Sequence, residues 1–227
     1  MNAMNIKKAL MPIAILLCLI ILVAGCTDEV TDFGFNGAVT GRILDQNGNI
    51  VAGDVTANNL LVYLLGEQDT EPLTVRVLGD GTYTNTHLYP QKYTLSVRGA
   101  VMPVEDATVD LTGDMVVKDF TVIPLLTLAA PNINASGGAV TVGYNIAENA
   151  GNVAETRVVY VSTVPYPGPS TGSGAYWTTL NESVDQNQGD VTITGLESGK
   201  KYHVRIAARA EGSTYWNFSE QASFNAQ

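Results

Sequence analysis

The sequence predicts an all-β protein, two tandem β-sandwiches behind an apolar leader, and three observations carry that reading. From Gly37 onward no long segment spaces its apolar residues at the helical period, while β-branched and aromatic residues alternate with polar ones. Turn signals such as Asn47-Gly48, Gly79-Asp80-Gly81 and Thr112-Gly113-Asp114 punctuate these runs at the spacing of short antiparallel strands. The 227 residues also exceed one domain of ~100–150. Two units are the natural division.

In the first unit, residues 37–123, the segments VTGRIL (39–44), LLVYLL (60–65), LTVRVL (73–78), KYTLSVR (92–98) and VVKDFTVI (116–123) read as strands. His87 falls on the link that precedes KYTLSVR. A composition shift at Ile123-Pro124 marks the boundary, because proline donates nothing to a ladder and resists continuation of a central strand. In the second unit, residues 124–227, GAVTVGYNI (138–146) places Val140, Val142, Tyr144 and Ile146 on one face. ETRVVYVS (155–162), DVTITGL (190–196) and KYHVRIAARA (201–210) follow, and a short strand near 221–224 closes the chain. Alternation sets His203 opposite Tyr202, on a solvated face.

The leader fixes the expected compartment. Lys7 and Lys8 precede an uncharged stretch from Ala9 to Ala24, the positive and apolar regions of a secretory signal. It falls short of the roughly 20 apolar residues of a membrane span. Cys18 would leave with the signal, so the mature chain keeps a single cysteine, Cys26, with no intramolecular partner. Leu22-Val23-Ala24-Gly25-Cys26 resembles the bacterial lipobox, which implies cleavage after residue 25 and a lipid on Cys26. Burying acyl chains stabilises such an anchor by ~0.8 kcal/mol per CH₂. Residues 26–36 then form a tether, and Asp28, Glu29 and Asp32 resemble the acidic signal that carries Bacteroidetes lipoproteins to the outer face of the outer membrane.

Composition narrows the partners. The chain has 12 basic against 22 acidic residues, a formal net charge of −10, and loss of Lys7 and Lys8 makes it more negative. Such a surface repels phosphate backbones, so nucleic acid is not an expected partner.

Family resemblances refine the two units. GRILDQNGNIV (41–51), DGTYTNTHLYPQKYTLSV (80–97) and KDFTVIP (118–124) resemble the carboxypeptidase-regulatory-like, or transthyretin-like, Ig-like module. Some relatives of that module cross-link a first-strand lysine to a last-strand Asn or Asp. Arg42 stands on this first strand and stays protonated, so no such bond is expected. GLESGKKYHVRIAARA (195–210) resembles fibronectin type III, with Leu196, Gly199 and Tyr202 at the places of its tyrosine corner, although Tyr144 stands where tryptophan is usual. Over the whole length, with VRGAVMPVEDATVDLTG (97–113) and VYVSTVPYPG (159–168), the chain resembles Bacteroidetes surface lipoproteins of uncharacterised function, typically associated with a SusC/SusD-type transporter pair. That resemblance implies an accessory role in polysaccharide or oligosaccharide capture and uptake. The other implied role is a structural or adhesive one, with a protein partner in place of a glycan.

Signs of catalysis are sparse. HExxH, GxSxG, CxxC and P-loop patterns are absent, and two histidines and one mature cysteine give a zinc site little to draw on. Carboxylate pairs such as Glu105 with Asp106, or Asp106 with Asp110, lack the deep sugar cleft a glycosidase needs. Catalytic residues, metal and cofactors are therefore expected to be none beyond the lipid on Cys26. Asp45 to Asn49 resembles the opening of a calcium loop, but its twelfth position is Thr56, and an Asn-Gly hairpin accounts for it.

Flat aromatic rings are the expected sugar-binding groups, and loops on a rigid scaffold are where they tend to sit. The candidates are Tyr166, in a Pro/Gly loop, Tyr176 and Trp177, after the flexible STGSG (170–174), and Tyr215 and Trp216, in the loop after the Tyr202 strand. Asp185, Asn187 and Gln188 are candidate polar contacts. Packing of Trp177 and Trp216 into the core is the competing reading.

Overall fold

The structure is a computed structural model that describes residues 34–227. The leader, Cys26 and the acidic tether up to residue 33, with their expected cleavage and acylation, lie outside the described residues. Among the described residues the regular elements are all strands. The first eight are β1 (Gly37–Leu44), β2 (Leu60–Gly66), β3 (Leu73–Arg76), β4 (Thr82–Leu88), β5 (Lys92–Gly99), β6 (Ala107–Asp110), β7 (Val116–Val117) and β8 (Phe120–Thr121). The rest are β9 (Leu126–Leu128), β10 (Asn132–Ser136), β11 (Ala139–Glu148), β12 (Ala154–Ser162), β13 (Thr179–Ser183), β14 (Gln188–Thr194), β15 (Lys201–Ala210), β16 (Trp216–Phe218) and β17 (Ala222–Asn225).

The first sandwich faces a sheet of order β4-β1-β7, with β8 also on β1, against a sheet of order β3-β2-β5-β6. Its core is the product of alternation. Val39 and Ile43 from β1 and Tyr83 from β4 meet Val62 and Leu64 from β2 and Leu95 and Val97 from β5. β4 emerges where a link before KYTLSVR was expected, since TYTNTHL is mostly polar and buries Tyr83 and Leu88 at its two ends. His87 is an exposed residue of that strand.

The expected strand over 116–123 is two short ones. Both run parallel to β1, and between them Lys118 donates its amide to the Thr40 carbonyl while Asp119 Oδ1 accepts from the Arg42 amide at 2.8 Å. The break lets the chain cross close over β1. A Cβ at Gly41 would stand 1.8 Å from the Lys118 carbonyl oxygen, so only glycine fits there. The buried Tyr83 hydroxyl donates to the same carbonyl at 2.6 Å, and burial pushes its pKa up.

The second sandwich faces β10-β11-β14, with β9 on β11, against β13-β12-β15-β16, with β17 on β15. Val140, Val142, Tyr144 and Ile146 all point into its core, as alternation predicts. Opposite them come Val159 and Val161 from β12 and Tyr202, Val204, Ile206 and Ala208 from β15. The Tyr202 hydroxyl accepts the Glu197 amide at 3.0 Å, the local geometry of a tyrosine corner.

β15 departs from the expectation on its other face. His203, Arg205 and Ala207 are buried there too, so His203 does not lie on a solvated surface. Ala207 packs with Val158, Tyr160 and Phe218 of its own sheet and with Ala52 of the first sandwich, forming a third apolar cluster across the junction. Asn217 adds hydrogen bonds: its Oδ1 accepts the Leu126 amide at 3.1 Å and its Nδ2 donates to the Ala100 carbonyl at 2.8 Å. The backbone joins in, with the Leu125 amide on the Ala100 carbonyl and the Met102 amide on Ile123. A strand buried on both faces loses the half-polar pattern by which a surface is recognised.

Candidate functional site

The junction is centred on one buried charge. The Arg205 side chain is 0% exposed, and its Nη1 lies 3.1 Å from Oδ2 of Asp54, whose side chain is 4% exposed. Its Nη2 donates to the Gly53 carbonyl at 2.5 Å and its Nε to the Ser219 carbonyl at 3.2 Å. The guanidinium also lies 4.1 Å from the ring centroid of Phe218 and 5.7 Å from that of Tyr166, within cation–π range. Burial pushes its pKa down to about 10, with Asp54 opposing the fall, so the guanidinium stays charged at neutral pH.

Asp54 is fixed from its own side. Its Oδ1 accepts from the Thr56 amide at 2.9 Å, the Thr56 hydroxyl at 2.6 Å and the Ala57 amide at 3.0 Å, while its own amide donates to Asn59 Oδ1. An Asp at the head of a turn, followed two residues on by Thr, forms such bonds locally. Gly53 permits the approach, because a Cβ there would stand 1.9 Å from the Val77 carbonyl oxygen.

Above this pair opens a cleft of about 710 Å³, walled by Gly53 to Thr56 and Leu78 to Asp80 on one side and by Val164 to Tyr166, Ser170 to Gly172 and Trp177 on the other. Two of the five candidate aromatics line it. Tyr166 is 43% and Trp177 41% exposed. Tyr166 has a left-handed backbone, φ 53°, and its amide donates to Gln221 Oε1. Its ring lies against Gly79, where a Cβ would stand 2.2 Å from Cδ1. Trp177 donates its indole N–H to the Gly172 carbonyl at 2.7 Å, which ties the ring to its own loop.

The other three are elsewhere. Tyr176 is 94% exposed and lines none of the described clefts. Tyr215 borders a separate depression with residues 97–99 and 101–106. Trp216 stands in β16 and not in a loop, opposite Arg209, whose guanidinium lies 5.6 Å from its ring, and it packs beside the junction cluster. Of the polar candidates, Asn187 accepts from Arg157 Nε and donates to Glu148, Gln188 opens β14, and Asp185 is exposed in the link between β13 and β14.

Asp106 lies 3.7 Å from Arg98, and Asp110 accepts the Thr112 amide. Asp45 caps the Asn47-Gly48 hairpin, taking the Asn47 and Asn49 amides on Oδ1 and the Asn49 side-chain amide on Oδ2. These donors hold its carboxyl below the usual range, against the opposing effect of desolvation. Among the described residues no group of three or more His, Cys, Asp or Glu is placed to hold a metal ion. Sequence reasoning missed Val55 and Leu78, which are 44% exposed and flank the cleft. Their adjacency is tertiary, and no local pattern signals it.

The fold defines a class, a pair of joined Ig-like sandwiches. No protein-family model and no curated protein matches the chain. Solved structures do share the arrangement. A Bacteroides uniformis protein named as a candidate carbohydrate-binding protein superposes with a TM-score of 0.69 at 18% identity, over 85% of this chain and 100% of its own. DUF3823 family proteins from Bacteroides ovatus and Parabacteroides merdae superpose with TM-scores of 0.66 and 0.67 at 17% and 18% identity, over 85% and 83% of this chain and 100% and 98% of theirs. At these identities the likeness is one of fold.

Proposed function

We propose that the protein is a non-catalytic surface lipoprotein, anchored in the outer membrane through Cys26, that binds glycan in the cleft between its sandwiches as an accessory to a SusC/SusD-type uptake system. The observation that carries the reading is the pair of half-exposed rings, Tyr166 and Trp177, in one cleft over a buried junction. Flat rings take up the apolar faces of sugars, while Ser170 and Thr171 bring hydroxyl groups to the lining. The first sandwich contributes one wall of the cleft. The name given to the Bacteroides uniformis neighbour supports the same reading.

The test is calorimetry of the purified protein against a panel of polysaccharides, with Trp177→Ala and Tyr166→Ala beside wild type. Saturable binding lost in both variants is the expected result. Absence of binding to every glycan, with co-purification of a transporter pair, moves the reading to a structural partner of that complex. Mass spectrometry of the native N-terminus tests the anchor independently. A diacylglycerol-modified Cys26 is expected, and a Cys26 still joined to Gly25 overturns it.

A further inference from the structure

Resting on the glycan-binding reading, we propose that the cleft selects neutral glycans whose sugars carry methyl groups, as in acetylated sugars and 6-deoxy sugars. The lining holds more than the two rings. Val55 and Leu78 stand beside them, each 44% exposed, and with Val164 and Pro165 they make much of the wall aliphatic. Hydroxyl-rich sugar faces gain little from aliphatic branches, whereas a methyl group leaving water for such a wall gains in proportion to the area removed.

Charge points the same way. None of the described lining residues is Lys, Arg or His. Arg205, beneath the wall, is fully buried and held by Asp54 and two carbonyls, and so is unavailable to a ligand anion. Asp80 is exposed at the rim, and its Oδ1 accepts from the Thr82 amide and hydroxyl. A uronate or sulfated sugar would meet this carboxylate without a compensating cation, on a chain of net charge −10.

The two sources of the methyl group are separated by matched ligands. Calorimetry of the full protein compares an acetylated glycan with its alkali-deacetylated form, a 6-deoxy glycan with its 6-hydroxy counterpart, and a neutral glycan with its uronate analogue. Expected is binding on the order of 3- to 10-fold tighter for at least one methyl-bearing member of the first two pairs, with weaker binding of the uronate. Val55→Thr and Leu78→Asn, near-isosteric changes at exposed positions, should abolish the preference for the methyl-bearing member of each pair. Trp177-dependent binding without any methyl preference, or with a preference for the uronate, overturns this inference while leaving the glycan reading intact. Failure of every glycan to bind overturns both.

Discussion

Asp54 and Arg205, 151 residues apart in sequence, form a buried ion pair with Oδ2 and Nη1 at 3.1 Å. Because Asp54 sits in a turn of the first sandwich and Arg205 in the middle strand of the second, the pair fixes the spacing of the two cleft walls. Leaving one charge buried without its partner costs about 3–5 kcal/mol, whereas replacing both with apolar groups can be nearly neutral. Asp54→Ala should therefore lower stability by about that amount in urea unfolding, and the double variant Asp54→Ala/Arg205→Met should recover much of it. A double variant no better than the single one would show that the pair's hydrogen bonds to Thr56, Ala57 and Gly53 matter more than its charge.

Gly79 and Gly53 separate binding from folding. An alanine at Gly79 meets the movable ring of Tyr166, whereas one at Gly53 meets the Val77 backbone carbonyl at 1.9 Å. Gly79→Ala should turn the ring out of its place and weaken glycan binding on the order of 10-fold, for about 1 kcal/mol of stability or less. Gly53→Ala has nothing soft to displace and should cost ~3 kcal/mol or more. Thermal unfolding and calorimetry on the two variants check the contrast.

His203 makes the fold sensitive to acid. It is 9% exposed, its Nδ1 has no hydrogen-bond partner, and desolvation, assisted by Lys201, pushes its pKa down. The unfolded chain then binds more protons than the folded one below the ordinary His range near 6.5. Stability from this group is full above that value and is lost as pH falls through it toward the lower folded pKa. Unfolding free energies between pH 7.5 and 5 should fall in wild type and fall less in His203→Gln. Equal slopes would assign the pH dependence to other groups.

Much of the fold is legible in the sequence where one face of a strand is wet. GAVTVGYNI and KYHVRIAARA declare their core faces by alternation, and the bounds of β15 coincide with the predicted segment. The outer face of β15 is not legible, because Ala52 and Phe218 cover it only after the two sandwiches meet. β4 is hidden by its polar composition, and β16 by the three-residue length that leaves Trp216 looking like part of a loop. Of the five candidate aromatics, Tyr166 and Trp177 share a cleft, yet the walls opposite them come from residues about a hundred positions upstream. Only tertiary structure brings Val55, Leu78 and the Asp54–Arg205 pair to the same place.

The chain has two tryptophans, Trp177 and Trp216, which permits a direct test of the central claim that glycan is held in the cleft between the sandwiches. Trp216→Phe leaves Trp177 as the sole indole, and its fluorescence can be followed during titration with the glycan that calorimetry shows to bind. A saturable shift in Trp177 emission, with the same midpoint as the heat of binding, is the predicted result. Saturable heat with no change in Trp177 emission would place the sugar elsewhere on the protein and contradict the account.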